Sequence, residues 1–173
     1  MNTKATDKRH QRYRTWLAVA LALALVMTAL LAQGAGATPP TGVTPFPIAS
    51  GDLEDPIQIK FKDKGGFGRG VVVDTITVVK YVIEPGGAFG WHRHGGPVWA
   101  VVSEGALTLY DADDASCQGK TVTAGTAFLD PGVDHVHNAR NLGDTPVVVY
   151  ATFMLPEGGA TRIDEPNPGV CPF

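Results

Sequence analysis

Cysteine is scarce in this chain of 173 residues: Cys117 and Cys171 are the only two. No Cys-x-x-Cys spacing, phosphate-binding glycine loop or Ser-His-Asp elbow occurs, so nucleotide chemistry and nucleophilic catalysis have no support. No apolar period long enough for a useful helix appears, and no repeat of solenoid length. Basic residues are few once the start of the chain is set aside. Five of the 14 Lys and Arg, but only one of the 17 Asp and Glu, lie in residues 1–37, which leaves nine basic and 16 acidic side chains beyond them and a net charge of −7. Such a surface repels phosphate backbones, so nucleic acid is not an expected partner.

What the chain does have begins with an export-type segment. Lys4, Lys8, Arg9, Arg12 and Arg14 precede an uncharged apolar run from Trp16 to Ala32, and Ala35-Gly36-Ala37 follows as an A-x-A-like cleavage site. Residues 1–37 are therefore expected to be a signal peptide, with an uncleaved anchor as the alternative, because the run of 17 residues reaches the short limit of about 17–25 for a spanning helix. Neither a cysteine near the end of the run nor an Arg-Arg pair is present, so a lipid anchor and a twin-arginine route are not indicated. The expected location is secreted or extracytoplasmic, with membrane contact only if the segment is retained. In an oxidising compartment Cys117 and Cys171 are a candidate disulfide tying the C-terminal tail to a mid-chain loop; two free thiols are the alternative.

One domain is expected in the remainder. Residues 38–56 are rich in Pro and Gly without a sustained apolar period and read as a linker or arm. From Ile57 short β-rich runs alternate with Gly, Pro and Asp clusters, which is the mark of an all-β sandwich or barrel. Strands are expected near 57–62, 71–84, 88–94, 97–103, 106–111, 121–123, 126–130, 134–140 and 146–155. Turns are expected at Glu84-Pro85-Gly86-Gly87, Ser103-Glu104-Gly105 and Asp130-Pro131-Gly132, and Asp111 to Gly119 reads as a polar hairpin loop. The barrel is taken as residues 57–160 and the tail as 161–173.

All four histidines beyond residue 37 fall in two His-x-His pairs, His92 with His94 and His135 with His137. Alternate side chains of a strand share a face, so each pair can converge on one ion, and neutral imidazole is a common metal ligand. Taken singly, either pair also fits half-buried core or surface histidines; it is their joint placement that points to metal. Trp91, Trp99, Phe89, Phe128, Tyr110 and Tyr150 are candidates for a pocket, though aromatic residues on barrel strands are more often core. Arg93 and Arg140 alternate off the histidine face and read as structural. Asp130 and Asp134 read as caps of the Pro131-Gly132 turn.

Gly86, His92, His94 and Gly105, followed by Gly125, Pro131, His137 and Asn141, resemble the two motifs of a small single-domain cupin, over residues 70–155. The resemblance implies a double-stranded β-helix, or jelly-roll barrel, with one divalent metal ion held by histidines. It matches His92, His94 and His137 to ligand positions. Two departures stand out. Pro97, Val98 and Trp99 occupy the place of the usual glutamate ligand, Glu104 looking like a turn residue, and one extra residue separates Pro131 from His137. His135 is accordingly a fourth ligand, an acid or base behind the ligands, or a pocket residue, the first being preferred. Iron or manganese would suit redox chemistry, and nickel or zinc would suit imidazoles. The expected partner is a small organic molecule, either a substrate of an oxygenase- or isomerase-type reaction or the ligand of a non-catalytic module. A homodimer remains a candidate assembly.

Overall fold

The computed structural model describes residues 36–62 and 68–173, and residues 1–35 of the expected signal segment lie outside the described residues. Ten strands and no helix occur among the described residues. They are β1 (Thr41–Lys62), β2 (Gly68–Ala88), β3 (His92–Arg93), β4 (Val98–Glu104), β5 (Ala106–Asp111), β6 (Lys120–Thr123), β7 (Thr126–Asp130), β8 (His137–Arg140), β9 (Val147–Leu155) and β10 (Ile163–Asp164). All pairings are antiparallel. One layer runs β1-β2-β9-β4-β7 and the other β10-β3-β8-β5-β6, and β2 joins them where Ala88 pairs with Arg140 of β8. The fold is the expected all-β jelly roll.

Alternation along the strands fills the space between the layers. In β4, Val98, Ala100 and Val102 are buried while Trp99 and Val101 face outward. Ile83 of β2, Leu107 of β5, Ala139 of β8 and Val149, Ala151 and Phe153 of β9 complete one apolar core. Burial of this kind is the dominant favourable contribution to folding, about 1.5–3 kcal/mol for each large aliphatic or aromatic side chain.

Several local expectations are corrected. Residues 41–56, expected in a linker or arm, belong to β1 and are paired with β2 from Thr41↔Ala88 onward. The alternation was hidden because both faces are apolar: Val43, Pro45 and Pro47 border the cavity, the two prolines while still exposed, and Phe46 and Ile48 are exposed on the other face. Prolines are tolerated because β1 pairs with β2 alone and its other edge needs no donors. Glu84-Pro85-Gly86-Gly87 is not a turn between two strands but a kink within β2, with Gly86 at φ 75°, beyond which Phe89 N donates to Ala139 O of β8. The expected strand 88–94 shrinks to β3, and 134–140 to β8. The tail at 161–173 supplies β10, which pairs with β3.

Asn141 is completely buried, and its amide donates to Ile83 O (3.0 Å) and Thr145 O (2.8 Å) while its side-chain oxygen accepts from Gly143 N. This motif residue organises the turn that returns β8 to β9. Cys117 and Cys171 are joined in a disulfide, with Cα atoms 5.3 Å apart. Cys171 packs with Trp91 and Tyr110, and Phe173 stacks on Trp91 at 6.5 Å while lying under the Arg140 guanidinium at 4.0 Å.

Candidate metal centre

His92 opens β3, His94 follows it, and His137 opens β8 opposite, in register with His92. All three are buried, their ring centroids lie 4.3–5.0 Å apart, and one candidate ligand atom from each lies within 4.8 Å of the others. The pairing of β3 with β8, more than alternation within either strand, creates this convergence, since His94 lies just beyond β3.

Hydrogen bonding assigns the tautomers. His92 Nδ1 donates to Gly90 O at 2.8 Å, and His94 Nδ1 donates to Thr161 O at 2.6 Å. His137 Nδ1 faces only acceptors, Asp130 Oδ2 at 3.1 Å and His135 O at 3.4 Å. A carbonyl or carboxylate can only accept, so each ring carries its proton on Nδ1 and leaves the Nε2 lone pair free when neutral. Burial, followed by repulsion from the neighbouring rings, pushes His92 far below the ordinary histidine value. Burial and His137 lower His94 to about 4, and burial lowers His137 despite the Asp130 charge. Three neutral imidazoles with fixed Nδ1–H bonds are the donor set that a divalent transition metal takes, and such anchoring bonds orient ligands and raise their basicity.

His135 is not brought into this trio. The extra residue after Pro131 is absorbed by a turn, with Val133 at φ 58° and His135 N donating to Gly132 O, so the chain enters β8 only at His137. The His135 ring stacks on His137 at 5.3 Å, but its nitrogens face carboxylates: Nδ1 to Asp130 Oδ2 at 2.7 Å and Nε2 to Asp111 Oδ1 at 3.0 Å. Burial opposes its charging, yet the two carboxylates outweigh that and raise His135 to about 10. Both ring nitrogens thus face carboxylate oxygens, an arrangement that favours the protonated ring. Asp130, His135 and His137 also approach one another within ligand distance, through the His135–Asp130 hydrogen bond and the 3.1 Å approach of His137 Nδ1 to Asp130 Oδ2. Asp130 therefore does more than cap its turn. Its Oδ1 accepts from Gly132 N at 2.7 Å, as the turn reading requires, while Oδ2 orients both His135 and His137. Burial works against the Asp130 charge, and the hydrogen bond from His135 with the neighbouring histidines still holds its carboxyl below the usual value.

The trio opens into a cavity of about 330 Å³. Val98 lines it and Trp99 points away, half exposed, so of the residues standing near the expected glutamate it is Val98 whose side chain occupies that place. Glu104 is exposed at the end of β4. Of the candidate aromatic residues, Phe89 and Phe128 line the cavity, Trp91 and Tyr110 belong to the cluster around Cys171, and Trp99 and Tyr150 face outward. Arg93 pairs with Glu165 at 2.6 Å. Two cavity residues escaped the sequence reading. Tyr81 looked like any strand aromatic, and Arg162 stood in the presumed tail; neither carries a motif.

Residues 79–153 match the family model for the cupin domain, Cupin_2. No match was found among curated proteins. Similar solved structures include a cupin superfamily protein from Desulfitobacterium hafniense, 10% identical, with a TM-score of 0.45 over 66% of this chain and 78% of that one. Another is the Cupin_2 domain of an XRE family transcriptional regulator from Enterobacter cloacae, 17% identical, with a TM-score of 0.43 over 67% and 99%. A third is an oxalate decarboxylase of Bacillus subtilis with Mn(II) centres, 24% identical, with a TM-score of 0.41 over 46% of this chain and 22% of that one.

Proposed function

Taking as premise that residues 79–153 form a cupin domain, we propose that the protein holds one divalent metal ion through His92, His94 and His137 and binds a small organic molecule beside it. The observation that carries this reading is the convergence of three buried imidazoles, one ligand atom of each within 4.8 Å of the others, while the Nδ1 atoms stand against Gly90 O, Thr161 O and Asp130. An ion bound there would supply a Lewis acid to oxygen atoms of the bound molecule, and three neutral ligands would leave its charge undiminished. The chain's own groups do the rest. Asp130 and His135 hold His137 in place, Thr161 O holds His94, and the remaining lining is largely apolar. Iron, manganese, nickel and zinc are all compatible with imidazole donors. His135 stands behind the ligands in this reading.

Either an oxygenase- or isomerase-type enzyme or a binding module can be built on this centre. The module reading draws support from Val98, an aliphatic side chain that lines the cavity where the motif would have a carboxylate ligand. Export through residues 1–37 belongs to the same proposal. A cut after Ala37 is compatible with the fold, because Thr38 would keep its hydroxyl contact with Trp91 N (2.6 Å) and its nitrogen would still donate to Glu165 O. The disulfide suits an oxidising compartment.

Metal content of protein purified from its native compartment tests the centre. The unaltered chain is expected to carry about one ion, and the His92→Ala, His94→Ala double variant none. Equal metal in both sinks the proposal. His135→Ala should retain metal and His137→Ala should lose it; the reverse would return His135 to the ligand set. Dioxygen uptake with phenolic and 1,3-dicarbonyl compounds separates enzyme from module.

A further inference from the structure

The geometry points to a ligand with an anionic head, a carboxylate, received by Arg162 beside the three histidines, and an apolar body lying against β1. This rests on the small-molecule reading above and names the ligand's chemical class. Arg162 lines the cavity together with His92, His94 and Tyr81. Its guanidinium is held in place from one side: Nε donates to Asp164 Oδ1 at 2.6 Å, and Nη2 donates to Phe89 O at 2.7 Å and more weakly to Thr38 O at 3.5 Å. Nη1 is buried and has no acceptor. A buried guanidinium nitrogen without a partner is rare in folded proteins and calls for an explanation. An incoming carboxylate supplies one, as a charge-assisted hydrogen bond to Nη1, the guanidinium nitrogen that the protein leaves unpaired.

The remaining polar groups of the cavity agree with this choice. Asp130 is the one carboxylate among the lining residues, and its oxygens are already taken by Gly132 N, His135 and His137. It therefore faces the cavity as a compensated charge. Burial raises Tyr81 above the ordinary tyrosine value, more than Arg162 lowers it, so its hydroxyl stays protonated and is one more donor. Arg162 is itself ion-paired with Asp164 at 2.6 Å, but its Nη1 has no acceptor, so the site offers a guanidinium donor and a hydroxyl, and their complement is an acceptor bearing negative charge. Away from this wall the lining is apolar, formed by Pro45, Pro47, Leu107, Phe128 and Val149. A volume of about 330 Å³ lies at the small end of the roughly 300–1,000 Å³ usual for ligand sites. A polar polyanion such as a sugar phosphate does not suit these walls; a short aliphatic or aromatic monocarboxylate does.

Calorimetric titration with benzoate and hexanoate against their neutral amides, benzamide and hexanamide, tests this on metal-stripped and metal-loaded protein. In metal-stripped protein the acids are expected to bind about tenfold or more tightly than the amides, the usual gain for a hydrogen bond to a charged group. Arg162→Gln should remove that preference, and Arg162→Lys should recover part of it. An unchanged melting temperature and near-ultraviolet circular dichroism spectrum certify that the fold is intact in each variant. Equal affinities for acid and amide in the unaltered protein, no binding of either, or full acid preference in Arg162→Gln would each overturn the assignment. Metal content separates the two readings. Acid preference in a protein that never carries metal would leave this inference standing and remove the metal centre, whereas a loaded centre with no acid preference would do the opposite.

Discussion

Removing the Cys117–Cys171 disulfide should weaken the fold and the candidate metal centre together, by separable routes. The bridge closes a loop of 54 residues, and the chain-entropy relation gives about 4 kcal/mol for a loop of that length. For a domain of this size each kcal/mol shifts the melting temperature by roughly 3–4 °C, so the loss is about 12–16 °C. Cys117→Ala with Cys171→Ala is the cleaner perturbation, since it adds no free thiols and changes little packing around the buried Cys171. Urea unfolding followed by tryptophan fluorescence reads the stability, helped by Trp91 stacked on Phe173 within the same cluster. The second route is local. Thr161 O, which fixes His94, and Arg162 lie on the segment that the disulfide anchors at Cys171. Metal release to a chelator should therefore be faster in the variant at a temperature where it is still fully folded. A stability loss under about 1 kcal/mol would refute the loop argument. Unchanged release from a folded but destabilised variant would refute the coupling between tail and centre.

Asp130→Asn should lower metal affinity by roughly 10–100-fold, the usual cost of removing a group that orients a metal-bound histidine. Competition with a calibrated chelator measures it, and an affinity within twofold of the unaltered protein would show that His137 needs no carboxylate. Val98→Glu should act in the opposite direction, tightening metal binding by at least as much as Asp130→Asn weakens it, because it supplies a carboxylate at the place the cavity leaves to an aliphatic side chain. Without metal the same substitution buries an unpaired carboxylate and should lower the melting temperature. Melting scans with and without the ion check both halves, and a variant destabilised equally in both conditions would show that position 98 does not reach the centre.

The barrel was legible because its strands alternate. Val98, Ala100 and Val102 against Trp99 and Val101 is a pattern that burial on one face imposes, and Gly105 at φ 76° marks the β4–β5 turn where the sequence places Ser-Glu-Gly. His92, His94 and His137 were legible by chemistry, since few other uses place buried imidazoles on facing strands. What escaped has a common cause. The β1 prolines suppress the apolar signal, and the kink at Gly86 looks like a chain reversal although the strand continues into a second layer. His135 was assigned to the ligand face by counting along a strand that begins two residues later. One residue inserted in a turn changes the partner of every side chain before the strand resumes. Arg162 could not be found from pattern at all, because its place depends on contacts with residues more than 70 positions away, Phe89 among them.

The segments outside the expected barrel turn out to hold the part of it that matters for chemistry. Thr38 receives Trp91 N on its hydroxyl oxygen at 2.6 Å, and Glu165 N donates to Trp91 O. Arg162 grips Phe89 O, β10 pairs with β3, and Glu165 pairs with Arg93. Residues 89–94 are thus clamped from both sides by the arm and the tail, although β3 itself has only two residues. A two-residue strand cannot fix two imidazoles by its own ladder; tethers to two distant segments, Thr38 and residues 162–165, can. The close approach of Thr38 to Gly90, which leaves no room for a side chain there, explains why glycine stands at φ 74° immediately before Trp91. Gly90 O then orients His92. On this account the precision of the histidine trio is set by the flanking segments, while the barrel provides the largely apolar cavity into which the trio opens.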